Sequence, residues 1–282
     1  MAAIISSGHS DKKGGAVLES SLNDGQAGQV GQVKMGAGSG NEPIPKIIHF
    51  CWFGGAEKPK KVVKCMASWR KHLSGYTWME WNESNFDFSV SRYAREAYEA
   101  RKFAFVSDYA RLHALYRYGG VYLDTDVEAL RPLDDLLKHT AFSGFEDERY
   151  LQSGTMGAAP GHPWIKELLD DYKGRPFVKE DGSYDMRTNT AVISEICTRS
   201  GLVLNGREQS LPSGVVFYPR TYFSPFDPVN GGSYLSDNSY TIHHFSQSWL
   251  PAHVRLRSRL KRGVSRIVGP DMIAKMRKLL PR

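Results

Sequence analysis

Two carboxylates one residue apart, Asp124 and Asp126, stand directly after the short apolar run Val121-Tyr122-Leu123. Such a run reads as a buried strand, and an acidic pair where it gives out lies at the edge of an α/β sheet, where ligands bind. Hard carboxylate oxygens suit Mg²⁺ or Mn²⁺, and a cation held beside a diphosphate neutralises charge that the protein would otherwise have to desolvate. An Asp-x-Asp alone also occurs on solvated loops, and Asp134-Asp135 and Asp170-Asp171 read that way. The segment before Asp124 sets it apart. Asp108 and Arg111, three residues apart, share one face of a helix whose expected N-cap is Ser107 and whose expected stop is Gly119-Gly120, and that helix leads straight into the Asp124 strand.

The elements that must position these groups alternate between strand and helix, the pattern of an α/β sheet. Ile47 to Phe53 reads as a buried strand closed by Gly54-Gly55, Val62 to His72 as a helix, Tyr76 to Trp81 as a strand and Tyr93 to Arg101 as a helix. Beyond the acidic pair, strands are expected at Ala141 to Phe145, Val215 to Tyr218 and Tyr240 to Phe245. Helices are expected at His162 to Asp171 and Asn189 to Arg199, and Phe217 to Ser239 reads as mostly loop. Asn189, at a helix start, reads as an N-cap.

The chain of 282 residues, 41% of them apolar, is long enough for one large domain or two small ones and excludes disorder throughout. No stretch approaches the roughly 18 apolar residues of a membrane span, and no secretory signal is visible. A soluble or peripheral protein is expected. Cys51, Cys65 and Cys197 form no CxxC pair, and an odd number cannot close into a disulfide framework, so a reducing cytosol is expected. Residues 1–42 hold nine glycines and no Phe, Trp or Tyr, and read as a disordered leader, native or vector-derived. The net charge of +7 is local: residues 253–282 carry ten basic residues and one acid, so residues 1–252 sum to −2. A near-neutral body (43–252) with a basic amphipathic helical tail (253–282) points to an anionic membrane surface and away from nucleic acid.

Three blocks in this order carry a family resemblance: Ile47-Ile48-His49-Phe50-Cys51-Trp52-Phe53-Gly54-Gly55; Ser107-Asp108-Tyr109-Ala110-Arg111 with Tyr118-Gly119-Gly120-Val121-Tyr122-Leu123-Asp124-Thr125-Asp126; and His243-His244-Phe245-Ser246-Gln247-Ser248-Trp249. Together, over about residues 44–250, they resemble the family 32 glycosyltransferases with a DXD sugar-binding motif and, more distantly, the large clostridial glucosylating toxins. Such a resemblance implies a GT-A (Rossmann-like nucleotide-diphospho-sugar transferase) fold, a nucleotide-sugar donor, Mn²⁺ or Mg²⁺, retention of anomeric configuration, and a capsule-, lipopolysaccharide- or exopolysaccharide-type acceptor, glycan or lipid-linked.

By position, the resemblance implies that Trp52 stacks on the donor base, with the Phe50 to Phe53 backbone reading its edge. Asp108 and Arg111 would grip sugar hydroxyls, Asp124 would touch ribose and sugar, and Asp126 would bind the metal. His244, chosen over His243 for its five-residue spacing from Trp249, would be a second metal ligand, with Ser248 and Trp249 at the diphosphate. The metal, Arg111 and Trp249 would stabilise the leaving phosphate. No general base is evident, so front-face attack, with the departing phosphate taking the acceptor proton, is the expected route to retention. The chain departs from the family pattern at Gln152-Ser153-Gly154 and Thr188-Asn189-Thr190, near which donor sugar and acceptor usually lie. Alternative readings are a protein-directed glycosylating effector, a membrane-associated sugar-nucleotide-binding protein without catalysis, and a haloacid-dehalogenase phosphatase. Against the last, Glu128 stands where Thr or Val is expected, and the motif lies a hundred residues too late.

Overall fold

The computed structural model describes residues 42–227 and 232–246. They form a mixed α/β structure around a seven-stranded sheet. The first strand, β1 (Ile47–Cys51), is wholly buried and pairs in parallel with β2 (Thr77–Trp81) on one side and with β3 (Gly120–Leu123) on the other. Next to β3, antiparallel, runs β6 (Thr155–Ala158). Then come β5 (Ala141–Gly144), β8 (Val215–Tyr218) and the short β7 (Gln209–Ser210), giving the order β2-β1-β3-β6-β5-β8-β7. A second, two-stranded sheet pairs β4 (Val127–Ala129) with β9 (Thr241–His243). The Asp124 segment therefore links the two sheets.

Alternation along β1 and β3 divides the core. Ile48, Phe50, Val121 and Leu123 face one side, where Val62, Met66 and Trp69 of helix α1 (Lys60–His72) cover them. Cys51 and Tyr122 face the other, under α3 (Phe103–Tyr118), with α4 (Pro163–Asp170) and α5 (Asn189–Arg199) further along. Each strand is thus buried on both faces, which is why β1 and β3 read as unbroken apolar runs.

Two expected helix starts are corrected. Ser107 does not cap α3: α2 (Arg92–Glu99) closes at Arg101 in a left-handed conformation (φ 56°), and α3 starts at once at Phe103. Burial of Phe105 and Val106 favours that extra turn, and the Ser107 hydroxyl donates back to the Phe103 carbonyl at 3.1 Å. At α5 the cap is Thr188, whose side chain accepts from the Ala191 N–H, so Asn189 becomes the first helical residue. The other expected elements lie within a few residues of expectation, with β9 shorter than Tyr240 to Phe245, while β4, β6, β7 and the short α6 (Arg220–Phe223) were not expected.

The turn from α3 into β3 requires its glycines. Gly119 and Gly120 have φ of 64° and 104°, and a Cβ on them would lie 2.6 Å from the Pro160 ring and 2.7 Å from the Ile47 carbonyl oxygen. Beneath the turn, buried His49 bonds to the Gly119 carbonyl through Nε2 at 2.7 Å, while the Trp81 indole N–H donates to its Nδ1 at 3.2 Å. These bonds fix the neutral ring, and burial lowers its pKa to about 4. All three cysteines are free and buried. No helix among the described residues is long and apolar enough to cross a membrane. The expected leader (but for Glu42) and basic tail, and site residues Ser248 and Trp249, lie outside the described residues.

Candidate active site

Asp124 leaves β3 with its N–H donating to the Gly154 carbonyl at 2.8 Å, so the loop entering β6 lies against the acidic pair. Its carboxylate is held from behind by the Tyr122 hydroxyl, which donates at 3.0 Å, and by Arg111 at 3.3 Å. Arg111 is only 4% exposed. Its guanidinium also pairs with Asp108 at 2.9 Å, donates to the Ser153 carbonyl at 2.7 Å and lies 4.6 Å from the centre of the Tyr122 ring. With its N–H groups committed to protein acceptors, Arg111 acts here as the clamp that sets Asp108 and Asp124 relative to each other, where the resemblance implied a direct grip on sugar. Burial pushes the Asp108 carboxyl up to about 7, with the Arg111 charge opposing that rise and the neighbouring Asp124 charge adding to it.

Asp126 faces His243. Their nearest atoms are 3.2 Å apart, and the same imidazole nitrogen lies 4.0 Å from Asp124. The structure thus brings His243, not the expected His244, to the acidic pair. The reason is register: β9 pairs antiparallel with β4, Val127 opposite His243, and Thr241 on the same strand face is buried against Thr155. His244 points to the other face and meets Glu128 at 2.8 Å. Alternation puts Thr241 and His243 on one strand face, but which face turns to the acidic pair is set by packing, and spacing from Trp249 did not reveal it.

The backbone after β9 completes the enclosure. Phe245 has φ 47°, unusual for a residue with a side chain, and its ring stacks on His243 with centroids 4.0 Å apart. That turn directs the Ser246 N–H onto Asp126 at 2.6 Å. Burial works against a charged Asp126, but His243 and the Ser246 N–H hold its carboxyl well below the usual carboxylate range. Burial likewise opposes a charged His243, yet Asp126 and Asp124 outweigh it and raise its pKa to about 9.

One ligand atom each from Asp124, Asp126 and His243 can be chosen so that all lie within 4.8 Å of one another. Two further features fit a cation there. The buried Nδ1 of His243 has no hydrogen-bond partner. Gly154 leaves the floor open: a Cβ at that position would sit 3.1 Å from Asp124 Oδ2 and 3.2 Å from His243 Nδ1. Two carboxylates and an imidazole form a donor set that could hold a divalent cation.

The other expected contacts are placed less directly. Trp52 is half-buried just past the end of β1, its indole N–H donating to the Ala56 carbonyl at 2.6 Å with Lys58 over its ring. Phe50 is built into the β1–β2 ladder, with its ring against Trp69 and Trp78, so its backbone is not open to a ligand; Phe53 is buried against Phe86 and Phe88. Asn189 is 6% exposed, and both its amide atoms are buried without partners, so the capping role belongs to Thr188 alone. Sequence reading missed Gly154 as a floor and Tyr122 as a clamp. It also missed Glu146, past β5, whose carboxyl burial raises while His243 pulls it back.

Residues 59–143 match the family model described as "Glycosyltransferase sugar-binding region containing DXD motif". Among curated relatives, inositol phosphoceramide mannosyltransferase 3 of Schizosaccharomyces pombe is 30% identical over 134 residues, 45% of this chain and 36% of that protein. Inositol phosphoceramide mannosyltransferase 2 of the same yeast is 26% identical over 215 residues, 75% and 59% respectively. Human alpha-1,4-N-acetylglucosaminyltransferase is 35% identical over 66 residues, 23% and 18%. In each case the match spans less than two thirds of the relative's length. Solved structures with some likeness include PaToxG glycosyltransferase (18% identity, TM-score 0.39, covering 56% of this chain and 70% of that one). Another is the galactosyltransferase LgtC with donor and acceptor sugar analogues (13%, TM-score 0.40, 77% and 95%). At such scores the α/β architecture rests on the sheet itself.

Proposed function

We propose, from the match of residues 59–143 to the DXD sugar-binding model, that this chain is a metal-dependent, retaining glycosyltransferase that moves a sugar from a nucleoside-diphosphate donor to a glycan or lipid-linked acceptor. The observation that carries this reading is the convergence of Asp124, Asp126 and His243 over the open floor at Gly154. Asp126 and His243 would hold Mn²⁺ or Mg²⁺, with Asp124 beside them. A cation bound there supplies positive charge for the diphosphate leaving group.

The chain's own residues do the rest by position. Arg111 fixes Asp108 and Asp124 as a pair, so both carboxylates present their remaining oxygens to sugar hydroxyls without having to be ordered on binding. The stack of Phe245 on His243 covers one face of the imidazole and keeps water from it. Front-face attack, with the leaving phosphate taking the acceptor proton, needs no protein base. Peripheral attachment at the inner face of a membrane through residues 253–282 is part of the same proposal.

The test is nucleoside-diphosphate release from a donor panel with Mn²⁺, Mg²⁺ or chelator, mannosyl donors first because two relatives are named mannosyltransferases. Cation-dependent release lost in D126N supports the proposal. Release that persists in chelator, or in D126N at the parent rate, refutes it.

A further inference from the structure

Outside the acidic site, the most asymmetric surface is the outward face of α1. Its buried stripe is Val62, Cys65, Met66 and Trp69. Diametrically opposite, at helical spacing, lie Lys60, Lys64, Ala67 and Lys71, all exposed, with Lys61 and Arg70 on the flanks. The helix holds five basic residues and no acid, although residues 1–252 as a whole carry −2. Lys60, Lys64, Arg70 and Lys71 make no ion pair among the described residues; Arg70 lies over the Trp78 ring. Val63, half exposed at 50%, stands at the edge of the stripe. From Lys60 to Lys71 the stripe runs about 16 Å at the helical rise per residue.

The helix adjoins the proposed active site through its inward side and its Lys61 flank, not through the lysine stripe itself. The Trp69 indole N–H donates to the Val127 carbonyl, and the Ser68 hydroxyl accepts from the Ala129 N–H, so α1 is fastened to the strand that follows Asp126. At its N-terminal end, the Lys61 ammonium donates to the His244 carbonyl, two residues before the described chain ends at Ser246.

We propose that the outward face of α1 is a docking surface for a bilayer containing anionic phospholipid. Lysine side chains along one stripe meet lipid phosphates while Val63 enters the headgroup region, and the opening at Asp124 and Asp126 is held close to the leaflet. Charge complementarity selects this partner: a row of exposed basic residues with no acid among them gains about 1 kcal/mol for each one brought to an anionic leaflet. The inference deepens the peripheral placement proposed above and stands apart from the transfer chemistry.

The test is flotation of the full chain with vesicles of phosphatidylcholine alone or with equal parts phosphatidylglycerol, comparing the parent with K60Q/K64Q/K71Q. Each basic residue near an anionic surface accounts for roughly fivefold in partitioning, so the triple variant should bind anionic vesicles about a hundredfold more weakly. Its melting temperature and soluble donor turnover should match the parent, which separates failure of this inference from failure of the transferase reading. Equal binding by parent and variant, equal binding to neutral vesicles, or a defect confined to binding of a labelled RNA would each overturn it.

Discussion

Replacing Gly154 by alanine tests the architecture of the site without removing a single ligand. The added Cβ would stand 3.1 Å from Asp124 Oδ2, 3.2 Å from His243 Nδ1 and 3.3 Å from His243 Cε1, so something must move by a few tenths of an ångström. Neither neighbour retreats freely. Asp124 is tied to Tyr122 and Arg111, and His243 is wedged between Asp126 and the Phe245 ring. Overpacking of this kind costs about 1–3 kcal/mol, and displaced metal surroundings typically cost about 10- to 100-fold in affinity. At a Mn²⁺ concentration of 100 times the parent's Kd, the cation stabilises the parent by about 2.7 kcal/mol, which falls to about 1.4 or about 0.4 for tenfold or hundredfold weaker binding. Melting curves with and without Mn²⁺ read this directly. Gly75→Ala is the control, since its Cβ would meet open space. A G154A protein that folds and shows the parent's full Mn²⁺ shift would refute the geometry argued here.

Two further outcomes follow from particular contacts. H243A should lose cation-dependent stabilisation, while H244A, which loses only its pairing with Glu128, should keep it within a few-fold; calorimetric Mn²⁺ titration of both checks this, and the reverse ranking would return the ligand to His244. His49 is neutral in the folded chain, with a pKa of about 4 against 6.5 when exposed, so the unfolded state binds the extra proton between those values and stability falls as pH drops from 6.5 to 4, by about 3 kcal/mol from this group. Urea unfolding across that range should show a shallower decline for H49Q; parallel profiles would mean that the ring is not held neutral as described.

Much of the fold was legible in the residues because its signals are local. Ile47 to Cys51 and Val121 to Leu123 are buried on both faces, so their apolar runs announce strands. Gly119 and Gly120 mark a turn that admits no Cβ, and the acidic pair after such a strand could lie only at a sheet edge. Spacing likewise placed Asp108 and Arg111 on one helix face, and both meet at 2.9 Å. Where local rules competed, they failed. Ser107 is a good cap by type, but burial of Phe105 and Val106 extended the helix past it; Asn189 lost the cap to its neighbour Thr188.

What composition and spacing could not decide was which histidine closes the site and what Arg111 holds. Those answers depend on separate chain segments meeting: Val127 opposite His243 and Ser246 donating to Asp126 across more than a hundred residues, and the Ser153-Gly154 loop, whose Ser153 carbonyl takes Arg111, lying under both. A strand shifted by one residue exchanges every inward side chain for an outward one. The amino-acid order therefore supplied the acidic pair and its strand, while only packing of the small sheet against the large one chose the imidazole that faces them.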